Sequence, residues 1–311
     1  MSISNNRSKE ITLHDDEIDL KELFDVIWKK KILIILVTLA FALSSVLFSL
    51  SLTNLYKSEA LLTVNLGSNA RSSSSIGSLA SSIGFNMPAN LGDKGILAIE
   101  TVQSRDFLKH LITFENVLPS IMAARGYDRS SKKIQYDPKI YNESNGQWVR
   151  PQKNNRKSTP SYIEAHGSYL GQMSIVRNQE TSNISISVEH VSPIFAKEFL
   201  ELIINEANEL LRNKDLLESN DAIAYLNSEM PKASLISMKE AINKLVLSQL
   251  ETQMMAKIST EYILKTIEPP FIPEIKSSPN RALICIVSTL FGGMIAIFWV
   301  LMRHYVLGRV K

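Results

Sequence analysis

The sequence of 311 residues contains one cysteine, Cys285, and five scattered histidines. A single thiol cannot close a disulfide within the chain, and it cannot supply a cysteine-based metal site. No two histidines have the spacing of metal ligands on one helix. The sequence therefore predicts neither a disulfide framework nor a metal site.

Sequence motifs for catalysis are also missing. There is no GxxxxGK[ST] loop for a nucleotide phosphate and no GxSxG turn for a nucleophilic serine. The formal net charge of +3 is too small to indicate a nucleic-acid partner. We therefore predict no catalytic residues, no cofactor and no bound nucleic acid, and an enzyme is the least supported functional class.

Charged residues are absent from two long apolar runs, which extend from Ile32 to Leu52 and from Ala282 to Met302. About 20 apolar residues at ~1.5 Å rise per residue cross the ~30 Å hydrocarbon core of a bilayer. Both runs therefore predict transmembrane helices. A cleavable signal peptide would have a shorter apolar core nearer the N-terminus, so we expect the first run to be a retained anchor.

Basic residues flank the two runs on the sides of the termini. They are Lys29, Lys30 and Lys31 before the first run and Arg303, His304, Arg309 and Lys311 after the second. By the positive-inside rule, both termini are predicted to be cytoplasmic. The predicted organisation is a cytoplasmic segment 1–31, a transmembrane helix 32–52, an outer domain 53–281, a transmembrane helix 282–302 and a cytoplasmic tail 303–311.

A short amphipathic stretch, Glu17–Trp28, lies in the N-terminal segment. Its apolar residues fall on roughly one face of a helix. One interpretation is a helix in the membrane interface, with Trp28 at the level of the lipid headgroups. The other is a solvated lead-in to the first transmembrane helix.

The outer domain combines strand and helix patterns. Residues 56–66 are rich in strand formers, and strict alternation predicts a β-hairpin within 169–191. Residues 96–124 have helical spacing. The Ser- and Gly-rich residues 67–95 predict an irregular loop, and the polar residues 125–161 predict an excursion over the surface.

From Pro193 to Thr266 the apolar spacing is helical, with an interruption at Pro231. Because the chain must return to the membrane, we predict a helical hairpin whose far end is at Pro231; a bent continuous helix is the alternative. The predicted fold class is therefore α+β, with two transmembrane anchors, an α/β base and a long protruding helical hairpin.

Prolines and small residues mark the second apolar run. Pro269, Pro270, Pro273 and Pro279 precede it, and since proline lacks an amide donor and restrains its predecessor, they predict a stiff extended approach. Small residues four apart let helices approach closely in lipid. The predicted packing residues are Ser288, Gly292, Gly293 and Ala296 in the second run and Ala40 and Ser44 in the first.

These features resemble the polysaccharide co-polymerase, or chain length determinant (Wzz), family of bacterial inner membranes. The resemblance covers an EIDL lead at Glu17–Leu20, the YKSEALLTV segment at Tyr56–Val64, the long helical middle and the proline-rich approach. The family's most specific motif is a proline series, Ser-Pro-Lys and a glycine about eleven residues later. The matching residues are Pro270, Pro273, Ser278, Pro279 and Gly292, with Asn280 in place of the usual lysine and Arg281 beside it.

The resemblance implies a regulator that is not an enzyme. Relatives form ring-shaped homo-oligomers with a periplasmic α/β base on the membrane, and they set the modal length of a lipid-linked polysaccharide made by a separate Wzy-type polymerase. The short tail is similar to the kinase-free subclass. On this reading, the apolar stripe of the long helices forms the ring interface. The interface candidates are Phe199, Ile203, Leu210, Leu235, Ile242 and Leu245.

The leading hypothesis is length control of the O-antigen of lipopolysaccharide in the bacterial inner membrane. The sequence leaves a length regulator or export component for common antigen, capsule or exopolysaccharide as the alternative. A periplasmic ligand sensor is less well supported, because a tail as short as 303–311 leaves the signal to a separate partner.

Overall fold

The computed structural model describes residues 20–64, 94–151 and 157–304. The chain divides into two compact units, Met1–Leu52 with Asn280–Lys311 and Thr53–Pro279. The second unit is called the body here. Predictions for the start of the lead helix, for most of the loop 67–95 and for the tail beyond 304 lie outside the described residues.

The bounds of the elements are as follows. The helices are α1 (Leu20–Lys29), α2 (Lys31–Ser51), α3 (Lys94–Gln103), α4 (Arg105–Leu111), α5 (Val117–Ala123), α6 (Tyr162–Gln172), α7 (Pro193–Glu229), α8 (Ile236–Ile258) and α9 (Arg281–Met302). The strands are β1 (Tyr56–Val64), β2 (Ala124–Asp128), β3 (Lys133–Tyr136), β4 (Tyr141–Asn142), β5 (Gln147–Trp148), β6 (Met173–Arg177), β7 (Ile184–His190) and β8 (Leu264–Glu268). This mixture of helices and strands is the α+β class expected from the sequence.

Helices α2 and α9 begin and end within one residue of the two predicted apolar runs. Among the described residues, these are the two helices that are long and apolar enough to cross a membrane. Charge returns at Arg303 directly after α9, whereas α2 is followed by the uncharged residues Leu52, Thr53 and Asn54. The absence of charge therefore predicted the extent of both helices closely.

A four-stranded antiparallel sheet, in the order β6-β7-β1-β8, forms the centre of the body. Strands β6 and β7 pair as the predicted hairpin, with Ile175 opposite Ile186. Side chains of β1 alternate between buried and half-buried positions, because successive residues of a strand point to opposite faces. Ala60 and Leu62 lie on the buried face, which α7 covers with residues such as Phe199.

Helix α7 begins at a cap that the sequence specifies. The Ser192 hydroxyl accepts a hydrogen bond from the Phe195 amide at 3.2 Å, and Pro193 occupies the first turn, where its missing amide costs nothing. The helix continues to Glu229, and a short 3₁₀ turn that contains Pro231 separates it from α8. Helix α7 thus covers the sheet, and it also packs against α8.

Two hydrogen bonds define how α7 and α8 pack. Gln253 donates to the Asn220 side chain at 2.7 Å, and Arg212 donates to the Ser259 carbonyl at 2.8 Å. Later residues of α8 thus contact earlier residues of α7. The two helices are therefore antiparallel along this shared length.

Asn208 joins α7 to the last strand of the sheet. Its side-chain oxygen accepts from the amides of Ile263 and Leu264 at 2.9 and 2.8 Å, and its amide donates to the Leu264 carbonyl at 2.9 Å. The side chain is buried, so these bonds satisfy backbone groups that water cannot reach. The start of β8 is thereby fixed on the helix.

The region 124–148, predicted as an excursion over the surface, has no buried residue, but its short strands were not predicted. It contains two small sheets, one formed by β2 with β3 and the other by β4 with β5. The Tyr141 ring lies 5.3 Å from that of Tyr136 and 5.1 Å from that of Trp148, measured between centroids. Strands as short as two residues carry no alternation long enough to recognise in a sequence.

His190, at the end of β7, is held in one neutral tautomer. Its Nε2 lies 3.0 Å from the Ser120 carbonyl, which can only accept, and its Nδ1 accepts from the Ser192 amide at 3.1 Å. Burial lowers the pKa of His190 to about 4 from an ordinary value of 6.5. Protonation would place an Nδ1 hydrogen against the Ser192 amide hydrogen and would weaken the link between β7 and α7.

We expect the full-length chain in detergent to unfold at a lower temperature at pH 5 than at pH 7. A histidine whose pKa is lowered by folding stabilises the fold above pH 6.5, and this contribution is lost as the pH falls towards 4. At pH 5 the loss is about 2 kcal/mol, or roughly 5 °C in unfolding temperature. His190→Gln keeps a neutral donor and should reduce the difference between the two pH values. Equal pH dependence in both chains would contradict this role.

Candidate functional site

The paired helices α2 and α9 run antiparallel and contact each other along their length. Arg281, at the start of α9, donates a hydrogen bond of 3.4 Å to the carbonyl of Leu52, just past the end of α2. The residues of α9 that are buried in the pair are Gly292, Ala296 and Val300, and those of α2 are Ser45 and Ser49. Small residues therefore form the centre of this contact.

Gly292 lies where the two helices approach each other closely. A Cβ atom added at Gly292 would lie 2.6 Å from Cβ and 2.7 Å from Cγ of Phe41. Carbon atoms do not approach this closely, so any side chain here would push the helices apart. The neighbouring Gly293 is less constrained, since its Cβ would lie 3.3 Å from Thr38.

Of the packing residues predicted from spacing, Gly292 and Ala296 lie in the contact and Ser288 is half-buried. Ala40 and Ser44 are exposed, whereas Ser45 and Ser49 are buried. The prediction for α2 is thus corrected for packing within the chain: the contacting face is one residue further along. One residue corresponds to a rotation of about 100° around a helix. A role for Ala40 and Ser44 between chains stays a prediction.

The outer faces of the two helices are almost entirely apolar and exposed. The side chains with the largest exposed fractions include Ile32, Leu36 and Leu47 on α2 and Leu290, Met294 and Phe298 on α9. A core helix of a water-soluble protein buries such residues, whereas a helix in lipid presents them to acyl chains. This pair is therefore typical of a membrane anchor.

Helix α1 presents two aromatic side chains on its surface. The rings of Phe24 and Trp28 stack at 5.8 Å and are both exposed, and the Lys31 ammonium lies 4.8 Å from the Trp28 ring. An aromatic ring beside a lysine is common at the boundary of lipid and water. This arrangement favours the interfacial interpretation of the lead helix over a solvated lead-in.

The proline-rich segment before α9 is bonded to the start of β1. The amide of Leu55 donates to the Ser278 carbonyl at 2.9 Å, and the Ser277 amide donates to the Leu55 carbonyl at 2.9 Å. Buried Ser58 donates to the Phe271 carbonyl at 2.7 Å. The segment is therefore a backbone-bonded part of the body and not a free linker.

The predicted motif residues lie along this segment and at the start of α9. Pro273 is buried, Pro270, Ser278, Pro279 and Arg281 are half-buried, and the Ser278–Pro279 peptide bond is cis. Asn280 caps α9, because its side-chain oxygen accepts a hydrogen bond from the Leu283 amide at 3.4 Å. The motif thus occupies the junction between the body and the second apolar helix.

The residues predicted for a ring interface separate into two groups. Phe199, Ile203 and Ile242 are buried within the chain, the first two of them beneath the sheet, so they are not available to a partner. Leu210 and Leu235 are exposed, and Leu245 is half-buried. The expectation that the whole stripe is exposed was wrong, since the sheet already covers the inner face of α7.

A different apolar face of α8 is exposed and was missed. It consists of Ile236, Leu247, Leu250, Met254 and Ile258. Leu247, Leu250, Met254 and Ile258 recur at helical spacing on one side of α8, and Ile236 lies on the same side at the start of the helix, beyond polar Glu240 and Asn243. The same periodicity could have located this face, had both sides of the helix been considered.

The described residues hold no group of three or more histidine, cysteine or acidic side chains that could bind a metal ion. His110 bonds to Glu206 and His166 to the Gln103 carbonyl, so these histidines have separate, local partners. A shallow recess of about 300 Å³ opens on the polar face of the sheet, with Lys57 and Glu189 among its lining residues. Its other lining residues are Gly171, Gln172, Met173, Ser174 and Ser187.

We expect Gly292→Ala to disturb the α2/α9 contact at a cost on the order of 1–3 kcal/mol, because the added methyl group collides with Phe41. The contact can be measured by disulfide formation within the chain between Thr38→Cys and Gly293→Cys, in a Cys285→Ser background. The Gly292→Ala change should lower the yield of this disulfide. Leu290→Ala alters an exposed side chain of the same helix and should not; equal yields for the two variants would contradict the close approach.

One protein-family model matches part of the chain, and it is the family that the sequence motifs resemble. Residues 16–114 match the model of the family Wzz, chain length determinant protein. No curated protein matches the chain. A solved full-length bacterial polysaccharide co-polymerase is similar, with 13% identity and a TM-score of 0.40, over 94% of this chain and 100% of that one.

A second solved structure, a fragment of WzzB, a polysaccharide co-polymerase from Salmonella Typhimurium, is also similar. It has 12% identity and a TM-score of 0.32, and the similarity covers 72% of this chain and 100% of that one. The family match includes α1, α2 and β1, the elements that carry the lead helix, the first apolar run and the YKSEALLTV strand. Residues 16–114 are therefore similar to the Wzz family of chain length determinant proteins, the family that the sequence motifs resemble.

Proposed function

We propose that the chain regulates the modal length of a lipid-linked surface polysaccharide, most directly the O-antigen of lipopolysaccharide, and that it is not an enzyme. The family match over residues 16–114 is the observation that carries this proposal. The pair of apolar helices that frames the body supports it, because a protein that acts on a lipid-linked glycan must work at the membrane surface.

The proposed location is the bacterial inner membrane, with both termini in the cytoplasm and the body in the periplasm. Lys29, Lys30 and Lys31 on one side and Arg303 on the other support this orientation under the positive-inside rule. Arg281 would then lie at the periplasmic edge. Its hydrogen bond to the Leu52 carbonyl places the guanidinium at the end of α2, where a cation complements the helix dipole.

The proposed mechanism is scaffolding by a homo-oligomeric ring that binds a Wzy-type polymerase and the growing glycan. The exposed apolar face of α8, from Ile236 to Ile258, supports association between chains. Apolar faces of this extent on a protein surface usually mark a site of interaction. In this scheme the α8 face replaces Phe199, Ile203 and Ile242 as the interface, and exposed Leu210 and Leu235 remain candidates.

Coupling between the body and the polymerase is proposed to pass through the motif at the membrane. Pro273 is buried in the body, and Gly292 lies where α9 touches α2. A change in either place would alter how the body is held above the bilayer. The length at which extension stops would then change while the protein persists.

We expect a strain that lacks this chain to retain lipopolysaccharide polymer but to lose its clustered range of band lengths. The pattern is read on a silver-stained gel, beside the same strain complemented with the intact gene. Complementation with Gly292→Ala, at equal protein level, should give a shifted or broadened range.

Each other outcome of this gel has a distinct meaning. Complete loss of polymer would indicate an export component and would contradict length control. An unaltered ladder would exclude the O-antigen, and the same comparison would then be made with common antigen, capsule and exopolysaccharide.

We also expect charge on the exposed face of α8 to reduce the oligomer. Met254→Glu in combination with Leu250→Glu should lower the mass of the full-length chain in mild detergent, measured by light scattering during gel filtration, because two buried carboxylates would oppose association. Asn213→Glu places the same residue at an exposed polar position of α7 and should leave the mass unchanged. A wild-type mass for the double variant would exclude this face as the interface.

A further inference from the structure

The proline-rich segment before α9 exposes large apolar side chains. Ile267, at the end of β8, and Phe271, Ile272 and Ile275, within the segment, are all about half exposed or more. Phe271, Ile272 and Ile275 are called the apolar ridge here. Four such residues within nine positions are unusual on a surface that faces water alone.

The ridge is held rigidly on the body. Buried Pro273 lies between its members, and Ser58 donates to the carbonyl of Phe271. The amide of Ser277 is bonded to the Leu55 carbonyl. With the backbone fixed on both sides, the ridge residues cannot fold back to cover themselves.

Chain connectivity keeps the ridge close to the membrane. Ile275 precedes Arg281, the first residue of α9, by six positions, and an extended chain spans at most ~3.5 Å per residue. Ile275 therefore lies within ~20 Å of the point where the second apolar run begins, and Phe271, ten positions before Arg281, lies within ~35 Å of it. Leu55, to which the segment is bonded, follows Leu52 by only three residues, so the first apolar run imposes the same limit.

The backbone of this segment suits the boundary of a bilayer. Pro269, Pro270, Pro273 and Pro279 have no amide hydrogen, and the amides of Ser277 and Ser278 are bonded to the carbonyl of Leu55. Unsatisfied backbone donors are what usually prevents an irregular segment from approaching lipid. Here that cost is reduced at six of the eleven positions from Pro269 to Pro279.

We propose that Phe271, Ile272 and Ile275 insert into the outer boundary of the bilayer and contact lipid directly. This inference rests on the proposed two-helix anchor. The ridge enters to a depth of about 5–10 Å, where headgroups meet acyl chains. Lys276 and Glu274, interspersed with the ridge, remain at the level of the polar headgroups. The contact would fix the height and tilt of the body above the membrane.

The test uses the full-length chain with a single cysteine for an environment-sensitive fluorophore. In a Cys285→Ser background, Ile275→Cys places the label on the ridge. Ile236→Cys places it at the far end of α8, at a position with a matching exposed fraction of 79% against 80% for Ile275. Leu290→Cys places it on the outer face of α9, roughly 14 Å from the start of that helix at ~1.5 Å rise per residue.

Each labelled chain is reconstituted into phosphatidylethanolamine–phosphatidylglycerol vesicles that contain nitroxide lipids, with the nitroxide either near the headgroup or near the end of the acyl chain. The Ile275 label should lose fluorescence mainly to the shallow nitroxide. The Leu290 label should lose it mainly to the deep nitroxide, and the Ile236 label should be affected by neither.

Other outcomes overturn the proposal in distinguishable ways. If the Ile275 label is insensitive to nitroxide lipids and open to aqueous iodide, the ridge faces water. If it is insensitive to both quenchers, a protein surface covers the ridge, and lipid contact is again excluded. If the Leu290 label is insensitive to all nitroxide lipids, the membrane anchor itself is wrong and the lipid contact is excluded with it.

Discussion

The backbone pairing between Leu55 and the residues Ser277 and Ser278 is the contact on which the arrangement of the body depends. It brings the first strand and the last irregular segment of the body together, so that the chain enters and leaves the body at one place. The two apolar helices attach to either side of this pairing.

Helix α7 packs against two different neighbours along its length, the sheet and α8. Its first half lies on the sheet with a fully apolar inner face, and Asn208 ends this region by bonding to the backbone of Ile263 and Leu264. Further along the helix, α8 is a neighbour, and Gln253 of α8 donates to the Asn220 side chain. The energetic contrast is large, because buried apolar contacts stabilise the first half, whereas the second half has mainly one helix to pack against. Association with a further surface is the ordinary way in which such a helical pair gains stability.

The sequence predicted those features that depend on local composition. The extents of α2 and α9 follow from missing charges, and the β6/β7 hairpin follows from alternation around a polar turn. The sequence did not predict burial and helix contacts that depend on residues distant along the chain. Periodicity placed Phe199 and Ile203 on one face, but only the fold shows that the sheet covers that face. Spacing likewise suggested Ala40 and Ser44, whereas the close approach of Gly292 to Phe41 decides that Ser45 and Ser49 face α9.

The departure of Asn280 from the lysine that the resemblance leads one to expect has a physical explanation in the structure. The side chain at this position accepts a hydrogen bond from the Leu283 amide and so begins α9, a task that a lysine cannot perform because its ammonium only donates. The positive charge is carried by Arg281, whose guanidinium reaches the Leu52 carbonyl at the end of α2. One residue thus caps the second apolar helix while its neighbour joins it to the first. The helix cap and the positive charge are thus supplied by two neighbouring residues, Asn280 and Arg281.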